Sequence, residues 1–249
     1  ATVTGSMHER RGEFGQDAFA VGLSDRLLVA ILCDGAGSAR YGLEGAQLCS
    51  HVVAEGLMEE LLVFGSRHEE VNEQTLVGYI DSRVEKARRL ARERGNLREY
   101  AATLVGAVVG EGWGYFFHIG DGVGVAIPKD GDVLGWNSTI ITKPENGEYI
   151  NETYFFTDAE WQSHLRCTKF GGDNAGIIVL MSDGVMPFAM TAGNEHPDER
   201  FLGPVCRYLG EDKSGQGGMA LQGTLGCEAA CKVSDDDKTL IYIKKNTKK

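Results

Sequence analysis

The chain has 249 residues, 42% of them hydrophobic, enough for one large core or two small ones. Its 25 basic and 36 acidic side chains leave a formal charge of −11, which argues against a dedicated binder of nucleic acid or of an anionic membrane. No apolar run approaches membrane-spanning length, and no charged-then-apolar leader resembles a signal peptide.

In chain order, the apolar segment Ala18–Leu23, the turn Ser24-Asp25-Arg26 and the segment Leu27–Cys33 read as an antiparallel hairpin. Two helical stripes follow, the first through Ala46, Cys49, Val53, Leu57 and Leu61. The second runs through Leu76, Ile80, Val84, Ala87 and Ala91, with charges on the opposite face. The basic run "KARRLARER", Lys86–Arg94, is interleaved with Glu93 and preceded by Glu85. It reads as the solvated face of the second helix rather than as a nucleic-acid site. Further strands are expected at Thr103–Val109, Trp113–Ile119, Val123–Pro128, Gly176–Met181 and Lys238–Ile243. The stretches Asn137–Gly172 and Thr191–Val233 read as irregular or helical insertions. Strands in hairpins with two consecutive helices between them predict an α+β fold with a large antiparallel component. No repeat, low-complexity tract or linker divides the chain, so a single domain over residues 1–249 is expected. The six cysteines, Cys33, Cys49, Cys167, Cys206, Cys227 and Cys231, show no C-x-x-C spacing. They read as reduced core thiols of a cytoplasmic protein, not as a zinc site or disulfide framework.

Aspartates stand where these strands begin or end. Asp34 closes "LLVAILC" and runs into Gly35-Ala36-Gly37-Ser38, Asp183 follows "GIIVLMS", Asp236 precedes "KTLIYI", and Asp17 precedes "AFAVGL". The hairpin makes Asp17 and Asp34 neighbours. A strand starting near Asp236, antiparallel to those ending at Asp34 and Asp183, would gather all three. Clustered carboxylates either take up protons or bind cations, and oxygen donors suit Mg²⁺ or Mn²⁺. Gly35 has no side chain to keep its carbonyl from a metal. A fifth, Asp121, lies in Gly120-Asp121-Gly122, which reads as a hairpin turn between two apolar strands. A dinucleotide-binding loop is disfavoured there, because a strand follows it and not a helix.

Taken in order, "GQDAF", "CDGAGS", "AATL", "IGDG", "MSDGV" and "DDKTL" resemble the successive motifs of the type 2C protein phosphatases, metal-dependent serine/threonine phosphatases. Gly5-Ser6-Met7-His8 resembles the "G-x-x-H" of their divergent bacterial branch. The resemblance implies a four-layer α-β-β-α sandwich with two central, mainly antiparallel sheets. It implies two Mn²⁺ or Mg²⁺ ions, bridged by Asp34, with Gly35 ligating one through its carbonyl and Asp183 and Asp236 completing the other shell. Asp17 matches an adjacent carboxylate of the pattern, and Asp121 one that helps hold a third, weaker ion. The implied activity is hydrolysis of phosphoserine and phosphothreonine in a phosphorylated protein substrate, by direct attack of a metal-bound water.

The chain departs from that pattern at several positions. Gly12 stands where the family often has a phosphate-gripping Arg, so Arg10 or Arg11 is the candidate replacement. Ala36 stands where some members have a His, and His8 is the candidate acid in its place. Gln16 replaces a frequent Glu, and Asp237 a frequent Asn. A haloacid-dehalogenase-like phosphatase would need a second Asp where Ala36 stands. The remaining alternative is a phosphatase-like regulatory or binding module with little turnover, against which the retention of Asp34, Asp183 and Asp236 argues. Neither the substrate protein nor the oligomeric state follows from these residues.

Overall fold

A computed structural model describes residues 1–65, 71–130, 133–142, 153–172 and 175–245. The elements in its first half are β1 (Thr2–Val3), α1 (Ser6–Arg11), β2 (Asp17–Leu23), β3 (Leu28–Asp34), α2 (Gly42–Gly65), α3 (Glu73–Arg94), β4 (Leu104–Val109) and β5 (Trp113–Ile119). Then come β6 (Val123–Asp130), β7 (Val133–Leu134), β8 (Ile140–Ile141), β9 (Arg166–Gly171) and β10 (Ala175–Met181). Helices α4 (Met186–Ala189), α5 (Glu199–Glu211), α6 (Gly217–Leu225) and α7 (Glu228–Val233) precede β11 (Lys238–Lys244). The chain divides into two compact units.

One unit, Gln16–Gly122 with Pro144–Asp173, holds the five-stranded sheet β2-β3-β4-β5-β9. All its ladders are antiparallel. The β2–β3 hairpin closes where Ser24 N–H donates to Leu27 O (2.8 Å) and Ser24 Oγ accepts from Leu27 N–H (3.1 Å). That side chain stands in for a backbone partner in the turn. Every residue of both expected helical stripes is buried. Those of α2 pack with most of those of α3 against Val29, Ile31 and Cys33 of β3 and Leu104 and Val108 of β4. Asn72 caps α3 by accepting from Thr75 N–H at 2.8 Å. The other unit, Ala1–Gly15, Val123–Lys143 and Asn174–Lys249, holds the sheet β1-β11-β10-β6-β7, with β8 also on β6. Val123, Val125, Ile127, Val179, Met181 and Leu240 form its core with Leu202 and Cys206 of α5 and Leu221 and Leu225 of α6.

Several expectations are corrected. Strand β11 pairs with β10 and β1, not with β3, so Asp34 and Asp236 end strands of different sheets. Gly120-Asp121-Gly122 is no hairpin turn: β5 pairs with β4 and β9, while β6 pairs with β10, β7 and β8. The apolar strands on either side resembled a hairpin only because both are buried on two faces. The stretch Asn137–Gly172 contributes the strand β9, its residues 143–152 lying outside those described; Thr191–Val233 is largely α5, α6 and α7. Cys33, Cys49 and Cys206 are buried thiols, but Cys227 is exposed.

The basic run is not wholly a solvated face. Arg88 is buried, and its Nη1 donates to Phe156 O (2.6 Å) and Asp158 O (2.7 Å), while Nε lies 3.0 Å from Glu85 Oε1. The same Glu85 oxygen accepts from Trp161 Nε1 at 2.9 Å. Arg88 therefore ties α3 to the segment before β9. Replacing it by Met strands two carbonyls and is expected to cost about 2–4 kcal/mol. Urea unfolding checks this, and a midpoint unchanged from wild type would refute the role.

Candidate active site

In the first unit the hairpin register sets Asp17 directly opposite Asp34, with Asp17 buried and Asp34 half-buried. The backbone of Asp34 is held twice by Thr103: its N–H donates to Thr103 Oγ1 (3.1 Å), and Thr103 N–H donates to its carbonyl (2.8 Å). The chain beyond is fixed just as closely. Gly35 N–H donates to Gln16 O at 3.1 Å, Ala36 N–H to Ala101 O at 2.9 Å, and Ala39 N–H closes a turn on Ala36 O at 2.8 Å. With its amide nitrogen facing this loop, Gln16 donates to Gly35 O (3.0 Å) and Ala36 O (3.2 Å). Asp121, half-buried, accepts from Thr153 Oγ1 at 2.7 Å.

In the second unit Asp183 and Asp236 flank adjacent strands. Met181 of β10 pairs with Leu240 of β11, and Ser182 N–H donates to Thr239 O at 3.0 Å, so the ladder runs on toward both aspartates. One Asp236 carboxylate oxygen accepts from Asp237 N–H at 2.9 Å, and its carbonyl accepts from the fully buried Lys238 Nζ at 2.8 Å. Helix α1 is clipped to this turn. Gly5 N–H donates to Asp237 Oδ1 (2.6 Å), Met7 N–H donates to Asp235 O (3.1 Å), and His8 Nδ1 lies 3.0 Å from Asp237 Oδ2. A Cβ on Gly5 would lie 2.3 Å from the Asp236 carbonyl carbon, so only glycine allows this approach. Arg10 reaches Asp235 at 3.4 Å; Arg11 instead sits 3.9 Å from Glu13.

The structure thus brings together Asp17 with Asp34, His8 with Asp237, and the strand ends that carry Asp183 and Asp236. Among the described residues, no three His, Cys, Asp or Glu side chains form a metal-holding group. The donors of Asp17, Asp34, Asp183 and Asp236 are all oxygens, the chemistry that suits hard divalent ions. Sequence reading missed the clamp of Thr103, although it lies in "AATL". It also missed Lys238, whose only signal is a lysine opening an apolar strand, and it took Gln16 solely as a lost charge.

The family described as "Protein phosphatase 2C" matches residues 4–226. The chain belongs to that family. As a protein phosphatase 2C it is a protein serine/threonine phosphatase. The curated serine/threonine-protein phosphatase 3 of Escherichia coli (strain K12) is 28% identical over 220 residues, covering 86% of this chain and 82% of that one. The serine/threonine phosphatase Stp1 from Staphylococcus aureus superposes with a TM-score of 0.60 at 17% identity, over 99% of this chain and 94% of that one. The catalytic domain of the serine threonine protein phosphatase PstP, solved in complex with 2 manganese ions, gives 0.54 at 18% identity, over 92% and 90%. Those likenesses show the shared α+β sandwich fold. Among the described residues no helix is long and apolar enough to cross a membrane.

Burial pushes the Asp236 carboxyl above the ordinary carboxylate range; the Asp237 N–H opposes this, and the Asp237 and Asp235 charges add to it. A carboxyl raised on folding stabilises the metal-free protein below the ordinary aspartate range, and that contribution is lost as pH rises through the elevated value. Asp236→Asn stays neutral and keeps an acceptor for Asp237 N–H. It is therefore expected to raise the metal-free melting temperature at neutral pH by about 2–4 °C. The gap should close as pH falls to about 4. A gap of equal size at both ends would show that charge is not its cause.

Proposed function

We propose that the chain removes phosphate from phosphoserine and phosphothreonine side chains of protein substrates with two Mn²⁺ or Mg²⁺ ions, and that it does so in the cytoplasm as a single phosphatase domain. The observation that carries this is the Asp17–Asp34 pair, set directly opposite each other at the end of the β2–β3 hairpin and followed at once by the hydrogen-bonded turn from Gly35 to Ala39. Family membership supports it, and so does the manganese in the PstP structure. The residues that would hold the ions are Asp34, the Gly35 carbonyl, Asp183 and Asp236, with Asp17 in support and Asp121 for a third ion. When bound, the ions acidify a water enough to make it a nucleophile near neutral pH and offset charge on the phosphoryl oxygens.

The chain's own residues hold this arrangement. Thr103 fixes the backbone of Asp34, and Gln16 orients the Gly35 carbonyl. His8, 4% exposed and set against Asp237, orients the turn that carries Asp236 and is the candidate acid for the leaving group. Arg10 or Arg11 would grip the phosphate, and the pairing of Arg10 with Asp235, next to Asp236 in sequence, favours Arg10.

Hydrolysis of p-nitrophenyl phosphate should vanish on chelation and return with Mn²⁺ or Mg²⁺. Asp34→Asn and Asp183→Asn should each lower turnover roughly a hundredfold or more. They should also abolish the rise in melting temperature that Mn²⁺ gives wild type, because an ion stabilises only a fold that binds it. Near-wild-type turnover with an unchanged Mn²⁺ shift would make these aspartates ordinary turn residues and remove the assignment.

A further inference from the structure

Strand β2 ends the five-stranded sheet, and among the described residues it pairs on one side only, with β3. The parity of its ladder is fixed at both ends. Gln16 O accepts from Gly35 N–H, and Ser24 N–H donates to Leu27 O. Even-numbered residues of β2 therefore turn their N–H and C=O to β3, while Phe19, Val21 and Leu23 turn theirs outward. The same three residues are 39%, 50% and 76% exposed.

Edge strands are ordinarily guarded by Lys, Pro or a bulge. The opposite edge of this sheet, β9, follows that rule with Arg166 and Lys169. Strand β2 does not: past Asp17 it reads Ala-Phe-Ala-Val-Gly-Leu, with no charge and no proline. Asp17, where β2 begins, is the residue opposite Asp34. At about 3.3 Å per residue, a chain laid along β2 travels roughly 20 Å from Leu23 and arrives at the carboxylate pair.

We propose that this edge is a docking strand for substrate: an extended, uncharged segment of the phosphoprotein adds to β2 and delivers the phosphorylated residue to Asp34. This rests on the phosphatase reading above. The added strand runs antiparallel, as every ladder of this sheet does, so the docking segment precedes the phosphorylated residue in the substrate. Backbone hydrogen bonds to residues 19 and 21 supply affinity, and alternate apolar side chains against Phe19, Val21 and Leu23 supply preference.

The test uses the Mn²⁺-loaded wild-type enzyme and phosphoserine peptides with a Val/Thr-rich segment before the phosphoserine. Methylating alternate backbone nitrogens of that segment gives two peptide sets of opposite parity. One set loses the hydrogen bonds to β2 and should show kcat/KM lower by about three- to tenfold per bond, while the other stays near the parent. In parallel, Val21→Pro removes an outward N–H and no bond to β3. It should raise peptide KM by a similar factor with p-nitrophenyl phosphate turnover unchanged. Equal behaviour of the two methylated sets overturns the proposal, and this readout stands even if Val21→Pro does not fold. A dimeric wild type that Val21→Lys converts to monomer also overturns it, because a second copy would then occupy the edge. If wild type fails on p-nitrophenyl phosphate itself, the phosphatase reading falls first, and the docking proposal with it.

Discussion

Two carboxylates placed directly opposite one another on neighbouring strands repel, and the β2–β3 register imposes that arrangement on Asp17 and Asp34. Nothing local favours it. It persists because the ladder behind it is held by the burial of Val29, Ile31 and Cys33 against two helices. A slip of one residue would turn that whole row to the other face of the sheet. The apolar core thus fixes the register, and the register fixes the charge pair. Thr103 then holds Asp34 by its own backbone groups, so the strand end cannot relax the repulsion by fraying. A cation placed there would find its ligands already paid for.

The other unit solves the same problem differently. Its aspartates sit on a turn rather than within a ladder, and a turn needs outside support. Helix α1 supplies it through contacts from Gly5, Met7 and His8 to Asp235 and Asp237, more than 200 residues away in sequence. The fully buried Lys238 adds the last constraint by donating to the Asp236 carbonyl.

What the sequence made legible follows from how local each signal is. The strands around Leu28–Asp34 and Ala175–Met181 stand within one residue of where they were expected, and the two long helices contain both expected apolar stripes. The Asp17–Asp34 pairing was legible because a hairpin needs only its turn to set its register. Strand β9, "RCTKFG", carries no period and exists because β5 offers it an edge from Trp113 to His118. Helix α1 is six residues long and held by its distant partners. In α5–α6, glycines at 203, 210, 217 and 218 dilute the helical stripe. Arg88 read as one charge among many, and only the fold reveals the two carbonyls it serves.

The departures from the family pattern also have local physical reasons. Gly12 ends α1 in the left-handed region, φ 67°, with its N–H on Glu9 O, and an arginine there would be strained. Ala36 lies in a small apolar cluster with Ala39, Ala101 and Phe155, apolar surroundings that suit a methyl group better than a polar imidazole. Gln16 does what a glutamate could not: its amide donates to the carbonyls of Gly35 and Ala36, where a carboxylate would only repel them. It also leaves one negative charge fewer beside Asp17 and Asp34. These substitutions therefore exchange charge and reach for a more tightly held loop, and they leave the oxygen donors of Asp17, Asp34 and Gly35 in place.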